Sequence, residues 1–474
     1  MLKPRPVSKT ADRWDANLVL WTAFLLLLWF DIKGAHSVTW LKALVLVFWG
    51  AGAFALARRC GCGAWVAWPV ALAGLLALQY VDVTTPSVRQ HDVGGHREYI
   101  DHLSARLALP GVQQGWETWQ PPLYYAAAAL WRIPFTHYSF DDPFRPVQFL
   151  SATLYLATIA LGLPAFRRLH LSGVEAAAAL AALALLPGNL FFAARINNDV
   201  LLPLLGAGVM LAAAEFVRSG ERSWLWWLAA LLPAALATKG SSLAIAGGAL
   251  LLVCWSEWRR SGWLLALQKA YLTGLPAGLW QLSWWIRNTM QTGNPLYVNA
   301  ALPDYLRIHT PSLQRIFSFD LPAFIGGRFY YDAPMWNSYP TALVTSLLYD
   351  EYGMQEYHFQ WSLLLRWSCL GMLLVLAAGI LVRPRPELKP AWFVCLYLAG
   401  CQTAITVAYA LQFPFACNQN VRFFAQAFVP FACLFGLGGG HFWQRAGWAG
   451  RGALAVIALA ALLGLGEVYS RMLF

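Results

Sequence analysis

Long apolar runs recur along the whole chain, and they constrain its fold more than any other feature. Of the 474 residues, 59% are hydrophobic and only 12% are charged, and the mean hydropathy is +0.50. A helix of about 20 apolar residues crosses the hydrocarbon core of a bilayer, and a helix satisfies its own backbone hydrogen bonds there. The sequence therefore predicts an all-α polytopic membrane protein.

The runs predict about thirteen transmembrane helices. Their approximate positions are residues 17–32, 38–57, 64–81, 146–166, 174–193, 200–217, 223–238, 241–256, 263–285, 361–382, 391–412, 423–442 and 452–469. Two long polar segments, 82–145 and 286–360, interrupt the runs. We expect these two segments to form large loops that carry short interfacial helices.

Basic residues divide the short turns into two alternating sets. The richer set carries at least two each: Arg58 and Arg59; Arg167 and Arg168; Arg218 and Arg222; Arg259 and Arg260; Arg383, Arg385 and Lys389; Arg445 and Arg451. The poorer set carries one each: Lys33, Arg195, Lys239 and Arg422. Because cytoplasmic loops are enriched in Lys and Arg, we predict a cytoplasmic N-terminus, an outer C-terminus and both large loops on the outer side.

The net charge of +11 is explained largely by this bias and suits anionic membrane lipids, so no nucleic-acid partner is implied. The first apolar run follows a basic tail and is expected to act as a signal anchor. The cysteines predict no disulfide framework, since most lie in apolar runs. We divide the chain into an accessory hairpin (1–63), a core (64–442) and a last transmembrane helix (443–474).

A polar island, Asp82–Tyr125, is the strongest functional signal, because ionisable groups beside membrane spans are energetically costly. It contains His91-Asp92, His96, Glu98 and Asp101. The helical spacing of Tyr99, Leu103 and Leu107 predicts a short helix over Asp92–Ala108. On this helix, Asp92 and His96 would share one face. They would then form a base with its orienting group, or two metal ligands, or simply part of a solvated interfacial helix.

The apolar run that ends the island, Leu123–Ile133, has about eleven residues and is too short to span a bilayer. Pro121 and Pro122 precede it and suit the start of a helix. We therefore expect an interfacial or re-entrant helix here.

Polar residues also occupy the outer turns. Asn198 and Asp199 would either cap the next helix or bind substrate hydroxyls. Lys239 would either extend its ammonium to the interface or contact a phosphate. With Arg195, Arg287 and Arg422, Lys239 would form a cationic site if the turns converge. The aromatic second loop, which includes Tyr349-Asp350-Glu351, would form an aromatic belt or a sugar-stacking or lid surface.

The order of these motifs resembles the GT-C superfamily of integral-membrane glycosyltransferases, in the style of the protein O-mannosyltransferase and aminoarabinose-transferase branch. The matching segments are His91-Asp92-Val93-Gly94-Gly95-His96-Arg97-Glu98-Tyr99, Trp119-Gln120-Pro121-Pro122-Leu123-Tyr124-Tyr125, Asn198-Asp199, Thr238-Lys239-Gly240, Arg287-Asn288 with Gly293-Asn294-Pro295, and Asn420-Val421-Arg422-Phe423. They span most of residues 64–442. The family usually has one helix before the acidic loop, whereas two additional runs precede it here.

The resemblance implies transfer of a sugar from a polyprenyl-phosphate donor to an acceptor hydroxyl on a lipid, glycan or protein, with inversion. It implies a bacterial inner membrane with the site on the periplasmic face. Asp92 would be the general base, with His96 or Glu98 orienting it. The implied substrate-binding residues are Lys239, Arg422, Arg287, Asp199, Asn198, Glu117, Gln120, Tyr124, Asp350 and Glu351.

No cofactor is predicted with certainty. A divalent metal at Asp92 and His96 is an open alternative, although the sequence contains no Cys/His metal cage. Two other functions compete with the glycosyltransferase. A transporter or flippase for a lipid-linked glycan would need ionisable groups deep in the spans, and an enzyme resembling O-antigen ligase would use diphosphate donors.

Overall fold

The computed structural model describes residues 39–87, 91–137, 140, 142–298, 306–308, 313–326, 330, 337–350, 359–445 and 447–473. Within these residues the regular elements are helical, which confirms the predicted all-α polytopic fold. The α-helices are α1 Thr39–Arg59, α2 Trp68–Val83, α3 Val93–Arg106, α4 Leu123–Arg132, α5 Arg145–Arg168, α6 Gly173–Leu185, α7 Pro187–Leu190, α8 Leu202–Ser219, α9 Ser223–Thr238, α10 Leu243–Ser261, α11 Trp263–Thr292, α12 Leu313–Phe317, α13 Leu321–Ile325, α14 Tyr339–Tyr349, α15 Phe359–Leu381, α16 Lys389–Gln412, α17 Phe428–Arg445 and α18 Gly447–Leu473.

Eight helical segments in the described chain are long and apolar enough to cross a bilayer. They correspond to eight of the predicted spans: 64–81, 146–166, 200–217, 241–256, 361–382, 391–412, 423–442 and 452–469. A ninth, predicted at 174–193, is a bent pair with a 62° break between α6 and the segment Pro187–Ala194. Pro187 follows the break, and a proline lacks the N–H that a continuous helix needs.

The other four predicted spans have different outcomes. The run 17–32 lies outside the described residues, and 38–57 corresponds to α1. Helix α9 has only 16 residues and is therefore about 24 Å long, shorter than a typical hydrocarbon core of about 30 Å. Helix α11, predicted at 263–285, extends to Thr292, but it is not one of the eight segments that are apolar enough to cross a bilayer.

Close helix packing depends on small residues in α17. A Cβ added at Gly438 would meet the Val375 carbonyl oxygen of α15, and one at Gly436 would meet the Glu175 carbonyl oxygen of α6. Membrane helices commonly use small residues where their backbones approach each other. This packing brings the backbones of α6 and α15 close to that of α17.

The turns rich in arginine meet at one end of the bundle. Arg167 Nε donates to the Cys60 carbonyl oxygen at 3.1 Å, and Arg385 pairs with Glu175 at 2.8 Å. Arg260 Nη1 donates to the Phe216 carbonyl oxygen at 3.1 Å. The opposite end, where α3 and α4 lie with the turns carrying Arg195, Lys239 and Arg422, is called the loop face below. Among the turns that the structure describes, the two sets therefore occupy opposite ends, as their alternation predicts; Lys33 lies outside the described residues.

The two short helices of the first polar segment form where the sequence predicts them. Helix α3 buries Tyr99, Ile100 and Leu103 on one side. Helix α4 begins directly after Pro122 and has ten residues. Both pack at the loop face and hold the polar island against the helix bundle.

Candidate active site at the loop face

Asp92 stands at the start of α3 and is partly open to solvent. Its backbone adopts a left-handed conformation, with φ 52° and ψ 25°. Aspartate is one of the few residues besides glycine that enter this region. The side chain is 40% exposed. The backbone therefore sets the direction in which the side chain leaves the chain, and the carboxylate remains accessible.

Gly95 lets α3 approach the segment around Glu117. A Cβ at Gly95 would lie 2.9 Å from Glu117 Cγ and 3.0 Å from Trp116 Cβ. These separations are too short for a side chain without a shift of its neighbours. The glycine thus allows the helix that carries Asp92 to lie against a second acidic residue.

Arg422 faces Asp92 from a distant part of the sequence. It lies in the 3₁₀ segment Val421–Ala427, which leads into α17. Its Nη2 is 3.9 Å from Asp92 Oδ2. A direct charge-assisted hydrogen bond would be about 2.8 Å. The two groups therefore attract each other without a short hydrogen bond between these atoms.

Lys239 and Asp199 form a second, tighter pair beside the first. Lys239 Nζ is 2.5 Å from Asp199 Oδ1, and both side chains are largely buried. Lys239 lies in the turn between α9 and α10, and Asp199 lies in the 3₁₀ turn before α8. The ammonium is thus held by a carboxylate instead of extending alone to the interface.

One aromatic ring lies close to both cations. The Phe423 ring centroid is 5.3 Å from Lys239 Nζ and 5.2 Å from the Arg422 guanidinium carbon. Cations within about 6 Å of a ring face gain a favourable interaction. Phe423 therefore helps to keep Lys239 and Arg422 in the same small region.

A chain of hydrogen bonds links the first polar segment to the turn of Lys239. Gln120 Nε2 donates to Glu117 Oε2 at 2.9 Å, and Asn198 Nδ2 donates to Gln120 Oε1 at 2.9 Å. The same Asn198 nitrogen donates to the Thr238 carbonyl oxygen at 2.9 Å. All four residues are buried. This chain fixes the position of Lys239 relative to Glu117.

The Glu117 carboxyl has an unusual protonation equilibrium for an acidic side chain. Burial, reinforced by the charge of Asp92, raises its pKa from 4.5 to about 7. The hydrogen bond from Gln120 and the charges of Lys239 and Arg422 act in the opposite direction. A substantial fraction of Glu117 is therefore neutral near pH 7 and can donate a hydrogen bond.

His96 lies under this cluster as a neutral imidazole. Burial lowers its pKa to about 3, and the negative charges of Asp92 and Asp199 reduce the shift only in part. Its Nδ1 lies 2.9 Å from the Tyr125 hydroxyl, and the Tyr125 ring stacks on Tyr99 with centroids 4.1 Å apart. His96 thus joins an aromatic support that holds α3 on α4.

A second charged group, which we call the sealed cluster, lies directly beside these residues. It consists of His91, Arg195, Asp350 and Asn420. Asp350 accepts from Asn420 Nδ2 at 2.6 Å, lies 3.3 Å from His91 Nε2, and forms an ion pair with Arg195. Asp350 and Arg195 are each only 1% exposed. Burial and pairing therefore enclose the charge of Arg195, so it adds no exposed cation to the cationic site expected from the converging turns.

The capping role considered for Asn198 and Asp199 is also wrong. The 3₁₀ turn Asn198–Leu201 receives no side-chain cap hydrogen bond. Asn198 instead binds Gln120 and the Thr238 carbonyl, and Asp199 binds Lys239. Long-range partners thus replace the local cap that the sequence pattern favours.

The remaining predicted residues lie around this centre. Arg287 Nη2 donates to the Pro110 carbonyl oxygen at 2.6 Å and so holds the backbone of the first polar segment. The Tyr124 hydroxyl is buried 3.4 Å from Ser151 Oγ. Glu98 is exposed and borders Gly115, where an added Cβ would be 2.8 Å from Glu98 Oε2. Glu351 lies outside the described residues.

Sequence reasoning gave His91, Asn420, Phe423 and Tyr125 no separate role, although all four lie in the quoted motifs. Each acts through a partner far away in the chain; His91 and Asp350 are 259 positions apart. Their position beside Asp92, Arg422 and Tyr124 in the same motifs is the sequence signal that could have identified them. Among the described residues, no three His, Cys, Asp or Glu side chains group as a metal site would require.

No protein-family model and no curated protein matches the chain. Among solved structures, the chain is similar to ArnT from Cupriavidus metallidurans, crystallised in the apo state. The two share 15% sequence identity with a TM-score of 0.37, and the match covers 86% of this chain and 78% of that chain.

Proposed function

We propose that this protein is a membrane glycosyltransferase of the GT-C type, which transfers a sugar from a polyprenyl phosphate to an acceptor hydroxyl. One observation supports this most: Asp92, Lys239 and Arg422 come from three separate segments and lie together at the loop face. A base and two cations are what such a transfer needs, since the leaving group is already a phosphate.

In the proposed reaction, Asp92 accepts the proton of the acceptor hydroxyl. The acceptor oxygen then attacks the anomeric carbon from the face opposite the phosphate. The bond between this carbon and the phosphate oxygen breaks, and its electron pair leaves with the polyprenyl phosphate. The anomeric configuration is therefore inverted.

Arg422 and Lys239 would stabilise the charge that develops on the leaving phosphate. A guanidinium can hold two phosphate oxygens at once, whereas an ammonium acts as a point charge. Asp199 would orient Lys239, and Glu117 in its neutral form would donate a hydrogen bond to the phosphate or the sugar. Arg287 would act indirectly, by holding the backbone around Pro110.

We place the reaction on the periplasmic face of a bacterial inner membrane. The support is the arginine-rich set of turns at the other end of the bundle, because cytoplasmic loops carry more Lys and Arg. A transporter has less support. In the described residues, the buried acids of the long helices, Glu175, Glu215 and Glu257, belong to ion pairs at the arginine-rich end. The buried Arg366 lies in the first turns of the span in α15, where it donates to the Phe324 carbonyl oxygen.

The test is a transfer assay with purified protein in nanodiscs. Donors are polyprenyl phosphates carrying different sugars, with matched polyprenyl diphosphate donors, and products are read by mass spectrometry. We expect transfer from at least one monophosphate donor and release of polyprenyl phosphate. Transfer only from diphosphate donors would favour a ligase-like enzyme, and lipid translocation without any transfer would favour a flippase. A parallel assay with a chelator tests the metal alternative, and we expect activity to persist.

A further inference from the structure

Asp350 has a backbone conformation that its residue type disfavours. It follows α14 directly with φ 55° and ψ −143°. This region is populated almost only by glycine, and other residues persist there when their surroundings hold them. A glycine would fit this turn without strain. The presence of aspartate indicates that the side chain is needed at this position.

The Asp350 carboxylate has one contact that leads to Asp92. His91 Nε2 lies 3.3 Å from Asp350 Oδ1 and 3.1 Å from Arg195 Nη2, so the ring is held by the Asp350–Arg195 ion pair as a unit. His91 precedes Asp92 in the chain and is itself buried. Holding the His91 ring therefore limits where the left-handed Asp92 backbone can lie.

A second contact of the same carboxylate leads to Arg422. Asn420 Nδ2 donates to Asp350 Oδ1 at 2.6 Å, and Asn420 Oδ1 accepts from the Arg422 backbone N–H at 2.8 Å. The end of α14 adds a parallel support, since the Val421 N–H donates to Ser346 Oγ at 2.8 Å. The turn that carries Arg422 is thus attached to Asp350 at the side chain of Asn420.

We propose that Asp350 is a positioning residue that sets the separation of the Asp92 carboxylate and the Arg422 guanidinium through His91 and Asn420. This inference rests on the proposed function, in which that separation decides how base and phosphate are aligned. Misplacement by about 1 Å can cost about 100-fold in rate. Arg195 forms the ion pair that holds the buried Asp350 carboxylate in its place.

Three variants separate positioning from simple stability. Asp350→Asn keeps the shape and removes the charge. Asn420→Ser keeps every charge and removes the amide that donates to Asp350. The double variant Asp350→Asn with Asn420→Asp reverses the amide and carboxylate and retains an acceptor for the Arg422 N–H. The matched control is Glu257→Gln, which breaks the pair of largely buried Glu257 and Lys269 at the other end of the bundle.

The readouts are kcat and KM at a temperature where every variant is folded, and cryo-EM structures in nanodiscs with a bound Fab. We expect Asp350→Asn and Asn420→Ser to lower kcat about 10–100-fold with little change in KM. The Asp92–Arg422 separation should differ from 3.9 Å in both. Glu257→Gln should lower the unfolding temperature and leave kcat unchanged. The kcat of the double variant should be at least about tenfold higher than the value expected if the effects of the two single substitutions simply multiplied.

An unchanged separation in Asp350→Asn and Asn420→Ser would overturn the inference, and so would unchanged kcat in both. Strictly multiplicative effects in the double variant would also contradict it. The proposed function fails differently. If the unmodified protein transfers no sugar while the separation still changes in both single variants, the positioning role stands and the reaction is wrong.

Discussion

Two charged groups lie side by side at the loop face and differ in how fully their charges are enclosed. In the sealed cluster, Asp350 and Arg195 are almost completely buried and directly paired. Asp92 and Arg422 are 40% and 11% exposed, and their nearest charged atoms are 3.9 Å apart. Breaking a buried pair leaves an uncompensated charge in a low dielectric, whereas an accessible pair can exchange its partner for a ligand. The first group is suited to holding the structure and the second to chemistry.

Asp92 and Arg422 form the open pair, and Asp92→Asn gives the largest expected effect on it. Asparagine keeps the shape and tolerates the left-handed backbone, so the fold should persist while the base is lost. We expect turnover to fall by about 10²–10⁴-fold with an unchanged unfolding temperature. The control is Asp101→Asn on the same helix, which removes an exposed carboxylate paired with Arg132. Near-normal turnover of Asp92→Asn would show that Asp92 is not the base.

Arg195→Met should have the largest effect on the sealed cluster, and its effect should be on folding. The substitution leaves Asp350 buried beside His91 and Asn420 without its guanidinium partner. We expect a loss of about 3–5 kcal/mol in stability, seen as a lower unfolding temperature and yield in detergent. Arg385→Met is the comparison, since Arg385 is 39% exposed and its pair should contribute only about 0–1 kcal/mol. Equal losses in both variants would remove the distinction between the two groups.

The same contrast explains what the sequence could predict. Helices α3 and α4 follow from local signals, namely the spacing of Tyr99 and Leu103 and the Pro121-Pro122 start. Asp92, Lys239 and Arg422 could be proposed because charge beside an apolar run is costly wherever the run folds. The sealed cluster could not be predicted, since His91 and Asp350 meet across 259 positions. Only the fold decides that Arg195 is enclosed while Arg422 faces Asp92.

Arg422→Lys should have an intermediate effect and tests whether the guanidinium binds phosphate. Lysine keeps the charge but loses the planar pair of donors. We expect KM for the donor to rise about tenfold, with a smaller change in kcat. Arg97→Lys is the matched control on the same face, because Arg97 holds Asp142 through two hydrogen bonds of 3.1 Å. Arg97→Lys should leave KM unchanged, and an unchanged KM in Arg422→Lys would contradict the phosphate assignment.

Glu117→Gln should have the smallest effect, and the size of this effect depends on pH. The folded pKa of Glu117 is about 7, above its ordinary 4.5, so the folded protein binds the proton more tightly than the unfolded chain. The stabilising contribution of the neutral carboxyl is therefore complete below about pH 4.5 and is lost as pH rises through about 7. Glutamine is neutral throughout and retains an acceptor for Gln120.

We expect the unfolding temperature of Glu117→Gln to equal that of the unmodified protein at about pH 5 and to exceed it by a few degrees at about pH 8. The measurement is the difference between the two proteins at each pH. His96, whose pKa is lowered to about 3, titrates in both and cancels in that difference. If the difference in unfolding temperature between the two proteins does not change with pH, Glu117 is ionised in the folded protein near neutral pH. Asp92 would then have a second full negative charge beside it, and the open pair would need both Lys239 and Arg422 to balance the acids before any phosphate is bound.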